Sequence, residues 1–452
     1  MLDKFKNMSQ AVAKKAVSGA GKAMSGVGKS VSSAKDKRKG KSDDTHIVAL
    51  DIGTEFVKAL IGRVVENNEV EIIGVGRQHQ SLSDMQAGAI SDIASVVSNC
   101  DKALAQAEDQ AGVSSRTAVI GIAGELVKGT TTAVKFTRKI ADKPMDVAEV
   151  EQIIHMVQTK AEERAKAALA IELGGKDVQV RLVNSALVSI DIDGYKVTNP
   201  IGFQGKEVRV QLYTAFAPLI HIGALERTAQ ELDLDLLAVA AEPFAVARSV
   251  IGDDPNANMS AILMDVGGGT TDIAVIDEGG VQGTKMFGIG GRAFTRSVER
   301  DLGVEFPRAE EMKLNLGAHL LPQNKISEVE AALEKTLDVW ISGVELALSE
   351  FDKLDNLPHK ILLCGGGSSL DMLVDELHES EWHKKLAFSR KPVVQHIKPN
   401  EVVGITDSTT SVTDHTFVTA MGLLRVGLDT YQQASSTPTN SIREKLDRML
   451  RV

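Results

Sequence analysis

Two stretches of this chain repeat one another. VALDIGTEFVKALIG (residues 48–62) is an apolar run that ends in Asp51, turns at Gly53-Thr54 and continues as a second apolar run. ILMDVGGGTTDIAVID (residues 262–277) does the same around Asp265, with Gly267, Gly268, Gly269, Thr270 and Thr271 in its turn. Both read as strand, tight turn, strand. Glycine has no Cβ, so backbone N–H groups in such a turn can approach an anion such as a phosphate closely. An aspartate at each strand end can hold Mg²⁺ through water. Two such turns facing each other would clamp the β- and γ-phosphates of a nucleotide from opposite sides. An ordinary hairpin with an acidic turn would account for one copy, but not for two, the second as long as DVGGGTTD.

A third glycine turn follows at a suitable distance. CGGGSSLDML (residues 364–373) comes after the apolar run Ile361–Cys364 and opens a helical pattern. Gly365, Gly366, Gly367 and Ser368 would let the backbone lie flat against an adenine and ribose, at a helix start that favours anions. Elsewhere helical periodicity over 92–111, 146–171, 219–232 and 326–351 alternates with strand patterns, which predicts an α/β fold. At 452 residues the chain is long enough for two or three domains. Cys100 and Cys364, its two cysteines, lie in apolar surroundings and read as buried thiols, not as a disulfide or metal framework. No uncharged apolar run reaches the roughly 18 residues of a membrane span, and no signal-peptide core follows the first residues.

The three turns together resemble the phosphate-1, phosphate-2 and adenosine motifs of the actin/Hsp70/sugar-kinase superfamily, over about residues 46–430. That resemblance implies Mg·ATP bound between two lobes built from duplicated sheet-plus-helix domains. It also implies roles for further residues. Glu242, in Glu242-Pro243-Phe244-Ala245, matches the segment between the halves, where an acidic residue orients water near the γ-phosphate. Glu310 and Lys313, in Ala309–Lys313, match the helix that contacts adenosine. Within the superfamily the chain is most similar to the FtsA family of bacterial cell division. The resemblance rests on SDMQAGAISDI (83–93), DIDGYKVTNPIGFQGKEVRV (191–210), GIGGRAFTRSV (288–298) and TAMGLLRVGL (419–428), in that order. It implies an inserted 1C-type subdomain at 85–210. Domain 1A would take 43–84 and 211–256, domain 2A 257–302 and 359–430, and domain 2B 303–358.

The ends carry the remaining information. Residues 1–42 hold eleven Lys/Arg against two acids, a charge of +9, whereas the whole chain is −10; the remainder therefore carries −19. A basic arm on an acidic body points to an anionic surface. Val17, Met24, Val27 and Val31 would share one face of a helix that glycines and serines weaken, so a helix formed on a surface and a solvated linker both stay open. After a linker at 431–440, SIREKLDRMLRV (441–452) places Ile442, Leu446, Met449 and Leu450 on one helical face, with Arg443, Lys445 and Arg448 largely elsewhere. That is the pattern of an interfacial membrane anchor, and FtsA proteins end this way. The arm departs from the family, whose members usually start close to the first strand.

The FtsA resemblance implies a filament-forming adaptor at the division septum, on the cytoplasmic face of the membrane. Its partners would be the C-terminal tail of the tubulin-like FtsZ, further copies of itself, anionic lipid and other divisome proteins, with no nucleic acid. A PilM-like type IV pilus assembly protein shares the fold and the 1C domain but needs no amphipathic tail. A sugar kinase would need a general base and a substrate cleft that no second carboxylate motif supplies. An Hsp70 would continue into a peptide-binding domain. ATP turnover is expected to be slow at most.

Overall fold

The computed structural model describes residues 45–65, 69–175, 178–251 and 258–435, with side chains to 432. The expectations for residues 1–42 and for the helix at 441–452 lie outside these.

The first sheet is built on β1 (His46–Ile52), buried along its whole length. It turns into antiparallel β2 (Phe56–Val65), which pairs antiparallel with β3 (Glu69–His79). On the other edge β6 (Thr117–Ile122) runs parallel to β1, and β11 (Asp235–Ala241) parallel to β6. The second sheet repeats this strand for strand. β12 (Ala261–Val266) turns into antiparallel β13 (Thr271–Asp277) and then β14 (Gly280–Phe287); β15 (Lys360–Cys364) and β16 (Val393–His396) lie parallel on the other edge. The orders β11-β6-β1-β2-β3 and β16-β15-β12-β13-β14 are the same topology. The repeat in the sequence is thus the visible part of a duplicated sheet.

Helices cover both faces, as the parallel strands at each sheet's centre require. After a short ribbon, β4 (Met85–Gln86) and β5 (Ala89–Ile90), α1 (Ile93–Ala111) starts at its N-cap Asp92 and packs on β2 and β3. It lies so close that a Cβ at Gly76 would stand 1.8 Å from the Ala103 carbonyl. The second lobe carries α5 (Gly291–Leu302), α6 (Phe306–Gly317), α7 (Gln323–Ser349) and α8 (Asp371–Glu379). Two helices tie the lobes together. α4 (Glu242–Ile251) follows the first sheet and packs also on β12 and β13; α9 (Val418–Ser435) follows the second and packs on β1, β6 and α4. A Cβ at Gly422 would stand 2.4 Å from the Ala245 carbonyl, so glycine allows this crossing. One hydrophobic core runs through β1, β2, β6, α4, α9 and the facing residues of β12 and β13.

The insert contains β7 (Lys128–Thr137), α2 (Val147–Glu172), β8 (Val180–Ile192), β9 (Tyr195–Val197) and β10 (Glu207–Pro218), with α3 (Leu219–Glu231) leading back to β11. The β8–β9 turn is Asp193-Gly194, both at positive φ. β7 pairs with β14 through Gly283 and Thr130, so the insert extends the second sheet.

The packing bears on three of the expected domain spans. The insert begins near β7, not at 85, because α1 covers the first sheet and β6 is held between β1 and β11. Residues 359–430 are not all second lobe: β17 (Ile405–Asp407) pairs with β3, and α9 packs on the first sheet. Residues 303–358 form α6 and α7, whose apolar faces share one core with β12, β13 and β15 and have none of their own.

Candidate functional site

The duplicated turns face each other across a cleft of about 620 Å³. Asp51, Gly53, Thr54, Gly267, Gly268, Thr270, Glu242, Asp265, Glu310, Lys313, Gly365, Gly366 and Gly367 all line it. Its size is that of a small-molecule or cofactor site.

Each turn is held by its own side chains. In the first, the Gln80 amide donates to the Gly53 carbonyl (2.7 Å), and Asn99 of α1 donates to Gln80. In the second, Gly267 N–H closes on the Thr270 carbonyl (2.9 Å), and the Thr270 hydroxyl donates to Asp272 (3.0 Å). The turns touch: a Cβ on Gly268 would lie 2.9 Å from Glu55 Cβ, and one on Gly269 would lie 2.7 Å from Thr54 Oγ1. The third turn packs on the second. Gly365 has φ +80°, and a Cβ there would stand 2.0 Å from Asp265 Oδ1, so only glycine fits. Gly366 has open space where a side chain would go.

The cleft floor is acidic. Asp51 accepts from the Lys58 ammonium (2.9 Å), and Asp265 accepts from the Thr419 hydroxyl of α9. Burial, then the charges of Asp51, Asp272 and Asp265, push the Glu242 carboxyl well above the usual carboxylate range. Burial and neighbouring Asp265 do the same to Asp272, one of whose oxygens is buried without a partner. Burial raises Asp265 as well, against the pull of Thr419 and Lys58. Burial alone would lower the Lys58 ammonium, but Asp51 beside it, with Asp265 and Glu242, raises it instead. Lys58 is thus a cation set beside Asp51, with Asp265 and Glu242 near. Among the described residues no cluster of three or more His, Cys, Asp or Glu could enclose a bare ion. Acids that outnumber the cation beside them, with one Asp272 oxygen buried and unpartnered, fit a hydrated Mg²⁺ shared with phosphates.

Three expected site residues take other places. The Thr271 hydroxyl is buried in the second lobe, donating to the Ile289 carbonyl (2.7 Å) and accepting from Trp340 (2.9 Å). The Ser368 hydroxyl turns back on the Gly365 carbonyl (2.7 Å). Gly269 serves turn contact and does not line the cleft. Glu310 and Lys313 line it but are engaged with each other (2.8 Å), and Lys313 also reaches Thr295 (2.9 Å) and the Gly291 carbonyl (3.1 Å). The sequence reading missed Lys58, Asp272, Glu55, Arg292 and Thr419. The first two had a signal: in each hairpin the strand-end aspartate pairs across the turn with the residue seven places on, Asp51 with Lys58 and Asp265 with Asp272. Thr419, 154 residues from Asp265, had none.

Comparison with known proteins adds to this geometry. The family model described as cell division protein FtsA matches residues 262–422. Cell division protein FtsA of Pseudomonas aeruginosa is 26% identical over 402 residues, covering 84% of this chain and 89% of that protein. FtsA of Streptococcus pneumoniae is 27% identical over 355 residues, covering 73% and 72%. Among solved structures, a chain of a PilM–PilN type IV pilus biogenesis complex aligns with TM-score 0.61 at 16% identity, covering 84% of this chain and 98% of that one, a likeness of fold alone. The chain is thus similar in sequence to FtsA cell-division proteins, and in fold to the PilM–PilN chain, an α/β structure with a duplicated sheet.

Proposed function

We propose that this chain is an ATP-binding, actin-like adaptor of bacterial cell division, which polymerises and links FtsZ filaments to the cytoplasmic face of the inner membrane. The observation that carries the nucleotide part is the cleft: two glycine turns in contact, a buried acidic floor and a third turn stacked on the second. The glycine turns would offer backbone N–H groups to the β- and γ-phosphates. Asp51 and Asp265 would hold a hydrated Mg²⁺, which would supply positive charge to the phosphates and the acidic floor. Lys58 would add a cation on the first lobe's side. Gly366 and the apolar neighbours Leu314 and Leu370 would receive adenosine.

Glu242 is the candidate for orienting water; burial and its acidic neighbours push its carboxyl well above the usual carboxylate range. Hydrolysis is expected to be slow at most, with the nucleotide setting conformation. The division role rests on the FtsA relatives. The pilus alternative is favoured by the fold likeness to PilM, whereas the sequence relatives named above are cell-division proteins. Peptide binding is assigned to α6 and α7, and membrane attachment to the two termini.

The test is Mg·ATP titration of the full chain and of Asp265→Ala. The variant should fold, since it removes a floor acid and no core packing, and should lose Mg-dependent affinity by about tenfold or more (about 1.4 kcal/mol). Unchanged Mg·ATP affinity in the folded variant would sink the nucleotide assignment.

A further inference from the structure

One contact in the cleft belongs to neither phosphates nor adenosine. Glu55 directly follows Thr54 in the first turn. One of its carboxylate oxygens accepts from His79 Nε2 (2.7 Å), on the same lobe. The other accepts from Arg292 Nε (2.6 Å), across the cleft. Arg292 is the second residue of α5, and its backbone N–H donates to the Gly268 carbonyl (2.8 Å), while Gly291 N–H donates to the Gly267 carbonyl (2.9 Å). Its second guanidinium arm reaches the Gln80 and Ser81 carbonyls of the first lobe, each at 3.5 Å. Gln80 is the residue that buttresses the first turn. Both ends of the ion pair are therefore fastened to a phosphate turn. Its side chains are 12% and 21% exposed, which spares it most of the screening that weakens surface pairs.

We propose that Glu55 and Arg292 are positioning residues: a latch across the cleft that fixes the spacing of the two phosphate turns and is released when the lobes part to exchange nucleotide. This rests on the nucleotide reading above. The chemistry favours a latch over a direct phosphate contact. Arg292 already donates to a carboxylate in near-ideal range, and Glu55, placed next to the phosphate turn, would repel a triphosphate unless a cation neutralised it. His79 holds Glu55 from its own lobe, so the acceptor stays in place when the cleft opens. Closing the latch then costs little side-chain freedom on the Glu55 side.

Glu55→Ala, Arg292→Ala and the double variant of the full chain provide the test, with wild type, by two measurements. The first is the association and dissociation of a fluorescent ATP analogue with Mg²⁺. Each single variant should dissociate about three- to tenfold faster, with association changed less than about twofold, and the double variant should dissociate no faster than the faster single. The second needs no nucleotide: amide hydrogen exchange at residues 53–56 and 267–270 should quicken in each variant of the free protein. Unchanged dissociation in folded variants, or single effects that add in the double, would overturn the latch. So would a loss confined to Arg292→Ala, which would make Arg292 a phosphate ligand. If wild type itself does not bind Mg·ATP, the nucleotide reading fails, and the exchange measurement still decides the latch, unchanged exchange counting against it.

Discussion

Asp272 shows what a site of this kind asks of single residues. It faces Asp265 across the β12–β13 register, buried, with one oxygen unpartnered. Its folded pKa is raised, so between the unfolded value, near 4, and the folded one, the native state binds more protons. Stability is therefore lost as pH rises through that window, and the loss persists above it. Asp272→Asn should keep the Thr270 contact and stabilise the nucleotide-free protein by about 1 kcal/mol or more at pH 8, with a smaller gain at pH 5; melting curves at the two pH values check this, and an equal gain at both would remove the charge argument. Gly366→Val acts elsewhere. Its side chain meets no protein atom nearby, so the fold should stand while ATP affinity falls about tenfold or more in a binding titration. These residues differ in legibility for a physical reason. Glycines and strand-end aspartates are recognisable because the chain cannot make a close phosphate turn without them. Thr271 and Ser368 carry the same side chain whether it faces a ligand or its own backbone, and only the fold decides which.

At the scale of elements, strands and helices are readable where one periodicity runs long enough, as in α1, α2 and α7. Membership of a lobe is not. β6 is a buried apolar run that would suit either an insert or a central strand, and only its pairing with β1 and β11 assigns it. α9 has a typical helical pattern, yet its partners are α4 and β1, far upstream. Two elements carry predictions. Behind the third turn His396 and His415 stack with ring centroids 4.0 Å apart; His396 approaches the Ser368 carbonyl (2.9 Å) and His415 the Ser369 hydroxyl (3.0 Å). Burial and neighbouring His396 lower His415 to about 4, with Asp414 opposing. A depressed histidine adds stability that is present above its unfolded value of about 6.5 and is lost as pH falls towards the folded value. His415→Asn should flatten part of the decline in Tm between pH 6.5 and 4.5, and an unaltered decline would show that the pair does not contribute. On α7, Val339 and Leu346 are 56% and 67% exposed. Lys325 and Lys335 there are exposed and paired with Glu328 and Asp301. A peptide docking on this surface would meet apolar side chains more than bare charge. Leu346→Glu should leave the fold intact and weaken binding of an FtsZ tail peptide about tenfold (about 1.4 kcal/mol) in a titration; preference for a pilus-protein peptide would move the chain to the PilM-like branch.

For the whole molecule, charge decides where an anionic membrane can be met. Residues 43–452 carry −19, so this body is repelled by an anionic leaflet, and no described helix is long and apolar enough to cross one. Any attachment would then come from residues 1–42 with +9 and from 441–452, whose sequence combines four apolar residues at helical spacing with basic ones. The two ends would act through different forces. Apolar burial, roughly 1.5–3 kcal/mol for each fully buried side chain, is insensitive to moderate salt. Attraction of a basic group to the leaflet is worth up to about 1 kcal/mol and is screened within about 10 Å at 0.1 M salt. In co-sedimentation with anionic vesicles, removal of 441–452 should reduce pelleting at every salt concentration. Removal of 1–42 should reduce it mainly at low salt. Leu446→Glu, which puts a charge on the apolar face, should match the C-terminal truncation. ATP should strengthen binding of the intact chain if filaments present many anchors at once, because linked sites bind with an avidity that one short helix cannot reach. If Leu446→Glu pellets as wild type does and only the arm deletion releases the protein, the anchor lies in the N-terminal arm, and the chain would meet the membrane by charge in place of apolar insertion.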